Sequence, residues 1–370
     1  MFDFGFIKFM RYIHHSILLL ICLTVSFASF VAAQVKQSND LLLIRVNGKA
    51  GFIDRSGKII IEPQFDYAGQ FSEGIAPVLM NKKWGFIDEF GKVVIEPQFD
   101  EVYWHRFSDG LIPVKLGDKM GAIDKSGNFV IEPKFETVLD FSEGVAPVQI
   151  GRFDKYSEKW IFVDRQGKQA IDKEFFGARK FVKGRAFVKV GFDEWALIDK
   201  NGNEVTKKHF SSFDEYNMFS EGLVAVRTKK KYGFIDRNGN FVIKPRFNDA
   251  SNFSEGLAAV EVGCVSGYIN TKGKIIIKPK FNIVGNFSDG LAGVEPISKD
   301  FECSVASFHD NMGYIDKTGK MVIPPNFGRS FDFSNGIAQV SFGEPWDVIG
   351  AVGKRGYIDK TGKYIWKPTE

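Results

Sequence analysis

Acidic side chains are the chemically capable residues that recur at a fixed place in this chain. An acid or its amide follows Ile or Val at Asp54, Asp88, Asp124, Asp164, Asp199, Asp236, Asn270, Asp316 and Asp359. Such a column could bind cations. Each carboxylate stands alone, however, without the clustered oxygen ligands of a calcium loop. A Gly lies three residues beyond each, as in Asp54 and Gly57, Asp88 and Gly91, or Asp124 and Gly127. Asp-x-x-Gly reads as a turn. The Asp side chain accepts a backbone N–H two residues on, and Gly takes the positive φ of a bulged type I turn joining antiparallel strands.

Other chemistries find less support. Beyond residue 33 the histidines are His105, His209 and His309, in unrelated repeat positions. There is no His-Glu-x-x-His, no Gly-x-Ser-x-Gly elbow and no phosphate-cradling glycine loop. No catalytic residue, metal ligand or cofactor is assigned, and a non-enzymatic protein is expected. The alternative is a sugar-active or other hydrolase whose carboxylates converge from several repeats. Cys264 and Cys303 occupy corresponding loops of consecutive repeats. They form a candidate disulfide in an oxidising compartment.

The elements that carry these residues repeat with the turns. In the stretch 82–99, Lys-Lys-Trp-Gly-Phe-Ile-Asp leads into the turn and Lys-Val-Val-Ile-Glu-Pro-Gln-Phe leaves it. Counting from the index acid, Pro stands ninth except at Lys173 and Lys208, and Phe stands eleventh wherever the chain extends so far. Strand side chains alternate, so Ile59, Ile61, Pro63 and Phe65 share one side. A second signature, Phe71-Ser72-Glu73-Gly74, recurs to Phe333-Ser334-Asn335-Gly336 and degenerates at Phe181-Val182-Lys183-Gly184. Another strand follows it, in which Pro77, Pro113 and Pro147 suggest an edge or a bulge. Each unit thus reads as three antiparallel strands plus a connector. Phe is abundant at 38 copies, and its recurrence before the index acid, eleven after it and in the second signature marks an inter-repeat core.

The pattern resembles the WG (KWG) β-repeat, a mostly bacterial family of tandem Trp-Gly-Phe/Tyr-Ile-Asp-x-x-Gly-Lys units. The likeness covers roughly residues 41–370. The literal Trp-Gly occurs at Trp84-Gly85, with Tyr232-Gly233, Met120-Gly121 and Met312-Gly313 in its place elsewhere. Trp160 and Trp195 are followed by Ile161 and Ala196, so the fourth and fifth units lack both the Gly and the Pro. The family implies no established activity and no site residues. An all-β fold follows: nine tandem antiparallel β-meander units, indexed at 54, 88, 124, 164, 199, 236, 270, 316 and 359. They would form an open curved array or solenoid, with a closed propeller-like ring as the alternative.

The first 33 residues read as a signal peptide. Lys8 and Arg11 precede an apolar run from Ile17 to Val31, and Val31-Ala32-Ala33 offers small residues for cleavage. The run is short for a bilayer span, although a retained anchor is the other reading. Residues 34–40 then form a short linker and 41–370 the repeat domain, expected in a periplasmic or extracellular location. A net charge of +4 over 370 residues argues against a nucleic-acid binder. The expected partner is a protein or a cell-surface polymer, with no stable membrane span after cleavage. Binding residues are sought where the repeats differ, because insertions in repeat proteins gather on one face. These are Tyr103, Trp104 and Arg106 in one connector, Tyr156 in the fourth-unit loop, Phe301 and His309 in the eighth, and Trp346 and Asp347 in the ninth.

Overall fold

The computed structural model describes residues 41–103, 106–152, 158–213, 219–298, 303, 311–341 and 354–367. Every regular element among them is a β-strand, and every pairing is antiparallel. No helix among the described residues is long and apolar enough to cross a membrane.

The second unit shows how sequence becomes sheet. Its strands Ile75–Met80, Lys83–Asp88 and Val93–Phe99 pair in order. The turn between the last two is set by Asp88, whose Oδ1 accepts the N–H of Phe90 at 3.0 Å and of Lys92 at 2.9 Å. Gly91 takes φ of 80° to close it, a conformation that burdens any residue with a Cβ. The same two acceptances recur at every index residue, including Asn270, which accepts from Lys272 and Lys274 at 3.1 and 2.9 Å.

The connector is more than a spacer. Tyr67–Ala68 forms a two-residue strand that pairs with Leu79 and Val78, adding a fourth strand to the unit. Corresponding strands occur from the second unit to the ninth, as in Glu101–Val102 and Asp249–Ala250. Three strands per unit were expected; two residues are too few to display alternation. The strand prolines fit this arrangement. The Pro77 carbonyl accepts Gly69 N–H at 2.9 Å, so its missing N–H faces a neighbour whose pairing is already ending. Between the seventh and eighth units the connector is continuous with the strand before it. Ile275–Val284 pairs with both Val265–Asn270 and Leu291–Pro296, making one sheet of seven strands.

Phe-Ser-Glu-Gly is a tight hairpin that also locks unit to unit. Ser72 and Ile75 exchange N–H···O bonds of 2.9 and 3.2 Å around Glu73 (φ 51°) and Gly74 (φ 94°). Positive φ costs a residue like Glu about 1–2 kcal/mol. The side chain offsets part of that cost: carboxylates of Glu73, Asp109, Glu143, Glu221, Glu255 and Asp289 accept the signature Gly N–H of the following unit. The signature Ser donates to the next signature Phe carbonyl, as Ser108 Oγ does to Phe141 O at 2.7 Å.

Between units lies the aromatic core. Phe86 meets Phe99 and the signature Phe107 with ring centroids 6.3 and 5.6 Å apart, and all three are buried. Tyr268 against Phe287 and Tyr314 against Phe333 repeat the contact. Nine such clusters follow one another among the described residues. The ninth packs Ile44 and Ile53 of the first unit against Ile337 and Tyr357 of the last. The Tyr357 hydroxyl donates to Leu43 O at 2.8 Å, and Arg55 donates to Asn335 O. Among the described residues the strands of the first and ninth units do not pair with each other, and the array is curved enough for these two units to meet through side chains.

Candidate functional site

The shared polar residues are engaged in the fold, so a site must be sought where one unit departs from the rest. One such departure falls on the tryptophan of Trp-Gly. Trp84 is buried, and its ring meets Tyr67 of the short strand edge-on at 5.8 Å. Met120, Trp160, Trp195, Tyr232, Met312 and Arg355 occupy the same place in their units, and Ala50 does so in the first unit, which has no connector strand before it among the described residues. In the seventh unit that place holds Ser266.

A small side chain here leaves a cleft of about 190 Å³ between the seventh unit and the connector strand of the eighth. Ser266 lies on its wall at 7% exposure, and its hydroxyl has no hydrogen-bond partner among the described residues. Where Tyr67 would cover a tryptophan, the cleft has Asp249. Asp249 stands directly opposite Glu261 across the strands. Ser251 and Asn282 add polar groups, and Ala250, Ala259, Ile283 and Val284 add apolar flanks.

The cross-strand pair is unusual within the molecule. At the same register the third unit pairs Glu101 with Lys115 at 3.0 Å, and the fourth pairs Thr137 with Gln149 at 3.0 Å. The seventh unit sets two carboxylates face to face, an arrangement that repels. Burial, and then the Asp249 charge, push the Glu261 carboxyl above its ordinary range, while Lys231 opposes them. The Lys231 ammonium donates to Asn248 Oδ1 at 3.0 Å. Behind the cleft, Asn282 donates to the buried Glu295 at 2.6 Å.

A disulfide joins Cys264 to Cys303 with the Cα atoms 5.5 Å apart, within the usual span of such bridges. Cys264 lies in the hairpin turn between Glu261 and Ser266. The bridge therefore ties Cys303 to the turn that joins the strands of Glu261 and Ser266, on the seventh-unit wall of the cleft.

Of the binding residues expected from sequence, Tyr103 and Arg106 are exposed beside the short strand Glu101–Val102. Trp104, Tyr156, Phe301, His309, Trp346 and Asp347 lie outside the described residues. None of the cleft residues was among those expected. The signal was available: aligning the tryptophan column unit by unit exposes the small residues Ala50 and Ser266, and aligning the connector exposes Asp249 opposite Glu261 in the unit of Ser266 alone. His209, the one described histidine, sits 3.3 Å from Glu194 and 3.2 Å from Glu204. Burial opposes its charge, but hydrogen bonds to Glu204 and Glu194 outweigh that and hold its pKa above the ordinary value.

Tandem β-meander units, interlocked turn by turn, define a β-repeat protein. The chain belongs to the WG containing repeat family, which it matches at residues 51–84, 84–119, 120–156, 160–191, 195–232, 232–263, 267–295 and 312–346. No curated protein matches it. Among solved structures, that of a eukaryotic initiation factor is similar with a TM-score of 0.61 at 12% identity, covering 88% of this chain and 95% of that one. BamB from Moraxella catarrhalis gives 0.42 at 12% identity, over 70% of this chain and 91% of that one. Apo AztD from Citrobacter koseri gives 0.41 at 11%, over 77% and 87% respectively. At such identities the likeness concerns the fold alone.

Proposed function

We propose that this is an exported, non-enzymatic repeat protein that presents a binding surface to a protein or a cell-surface polymer. The reading is carried by the seventh unit, where the side chains around the tryptophan position depart from the repeat pattern while the unit-to-unit bonds are kept. A large side chain gives way to Ser266, a cross-strand pair becomes doubly acidic, and a disulfide joins Cys264 beside them to Cys303. A repeat protein built only to span distance has no need of these departures, and loops held on a rigid scaffold are favoured places for recognition. The basic and apolar start of the chain supports export, and a Cys pair suited to bridging fits an oxidising compartment.

The test immobilises residues 34–370 and measures recovery of defined exported proteins and cell-surface polysaccharides. A variant with the loops 296–311 and 342–355 shortened is run beside it. Recovery should fall at least about tenfold, the scale of 1.4 kcal/mol; equal recovery from both proteins overturns the proposed face. Residues 1–40 fused to a phosphatase active only under oxidising conditions should yield an active enzyme outside the cytoplasm. An inactive fusion would remove the export part.

A further inference from the structure

We infer that the cleft between the seventh and eighth units seats the side chain of a lysine or arginine from a partner polypeptide. The inference rests on the binding role proposed above and names the chemistry of the contact.

The size of the cleft is the first argument. About 190 Å³ is below the roughly 300–1,000 Å³ of cofactor and small-molecule pockets, and it suits the end of one side chain. The space exists because Ser266 replaces the residue that is Trp84, Met120 or Met312 in other units. The fold can therefore fill it and in this unit does not.

The second argument is the balance of donors and acceptors. Asp249 and Glu261 offer carboxylate oxygens with no salt-bridge partner among the described residues, and they face each other at directly opposed positions. Ser266, itself more than nine-tenths buried, lines the cleft with a hydroxyl that has no hydrogen-bond partner among the described residues. Arginine carries five N–H donors and lysine three, with no acceptor on either, so both complement this wall. A cation between the carboxylates removes the repulsion that the empty pair carries.

The third argument is the flank. Ala250, Ala259, Ile283 and Val284 border the acids, matching the methylene stem beneath a charged head. A metal ion is a poorer match, since no group of three or more His, Cys, Asp or Glu among the described residues could hold one. An acidic or neutral group would leave the carboxylates without compensation.

The experiment titrates the mature chain with Nα-acetyl-arginine amide and Nα-acetyl-lysine amide, using NMR shifts of Ala259, Val260 and Ser266. Nα-acetyl-citrulline amide serves as the uncharged control. Saturable shifts are expected with at least one cation and none with citrulline. Asp249→Asn with Glu261→Gln should weaken binding at least tenfold. Ser266→Met, the residue of the third and eighth units, should fold normally and abolish it. Glu96→Gln, an exposed acid elsewhere, should change nothing.

Absence of saturable shifts with both cations, equal affinity in the acid variants, or full binding by Ser266→Met would each overturn the inference. A melting temperature that falls sharply in Asp249→Asn/Glu261→Gln would also count against it, because relief of like-charge repulsion should not destabilise. The outcome is separable from that of the binding role. If loop shortening abolishes capture while the acid variants capture normally, the surface stands and this contact falls.

Discussion

At the scale of the residue, one position shows the difference between a motif and an activity. The index aspartates look like a ladder of ligands, but each spends Oδ1 on two backbone N–H groups. The sequence revealed this column fully, because turn chemistry is local. Asp54, Asp316 and Asp359 lie below the ordinary carboxylate range chiefly through the hydroxyls of Ser56, Thr318 and Thr361. The sign follows. A depressed folded-state pKa means that the unfolded chain binds protons first, so the stabilisation is intact above about pH 3.9 and drains as pH falls through the folded value. Thermal melts from pH 7 to pH 2.5 should show this acid slope. Asp316→Asn with Asp359→Asn should flatten it and lower the pH 7 melting temperature only slightly, by the part the charge contributes, because Asn270 already makes the same turn. A steep loss at pH 7 would show that charge, and not geometry, holds the turns.

At the scale of the element, strand and turn were legible where they had period or punctuation, and illegible where they were short. Tyr67–Ala68 is two residues long, and the Glu in Phe-Ser-Glu-Gly gives no local hint of positive φ, since its compensation comes from the next unit. The Trp-Gly glycine has a reason that sequence alone left unstated. A Cβ on Gly85 would stand 2.7 Å from Ile95 O and 2.8 Å from Pro97 N, both backbone atoms of the adjoining strand. This explains why the fourth and fifth units lose Gly and Pro together. With Ile161 and Ala196 in place, their last strands reduce to isolated bridges such as Trp160 with Phe175 and Trp195 with Phe210. Gly85→Ala should accordingly cost about 1–3 kcal/mol, as overpacking does. In a double-mutant cycle with Pro97→Lys, the double variant should lose less than the sum of the two single losses, because one contact is shared. Strict additivity in urea unfolding would refute the coupling.

At the scale of the whole molecule, the repeat number and all-β class were readable from nine spaced turns, whereas the contact between first and ninth units was not. It depends on the curvature accumulated over every junction, which no single repeat encodes. The Tyr357 hydroxyl supplies Leu43 O with the bond that a connector N–H supplies elsewhere, such as Gly69 N–H to Pro77 O. Burial raises its pKa to about 12, so it remains a donor at neutral pH. Tyr357→Phe should cost about 0.5–1.5 kcal/mol and speed amide exchange at both ends of the chain; exchange raised at one end only would contradict a shared junction. The larger claim is that shared residues build the array and that its departures bind. It is tested most directly by measuring melting temperature and Nα-acetyl-arginine amide affinity side by side for Ser266→Met and Gly85→Ala. The account predicts that Ser266→Met melts like the parent and no longer binds, and that Gly85→Ala melts lower and binds as before. A Ser266→Met protein that unfolds early, or binds undiminished, would contradict it.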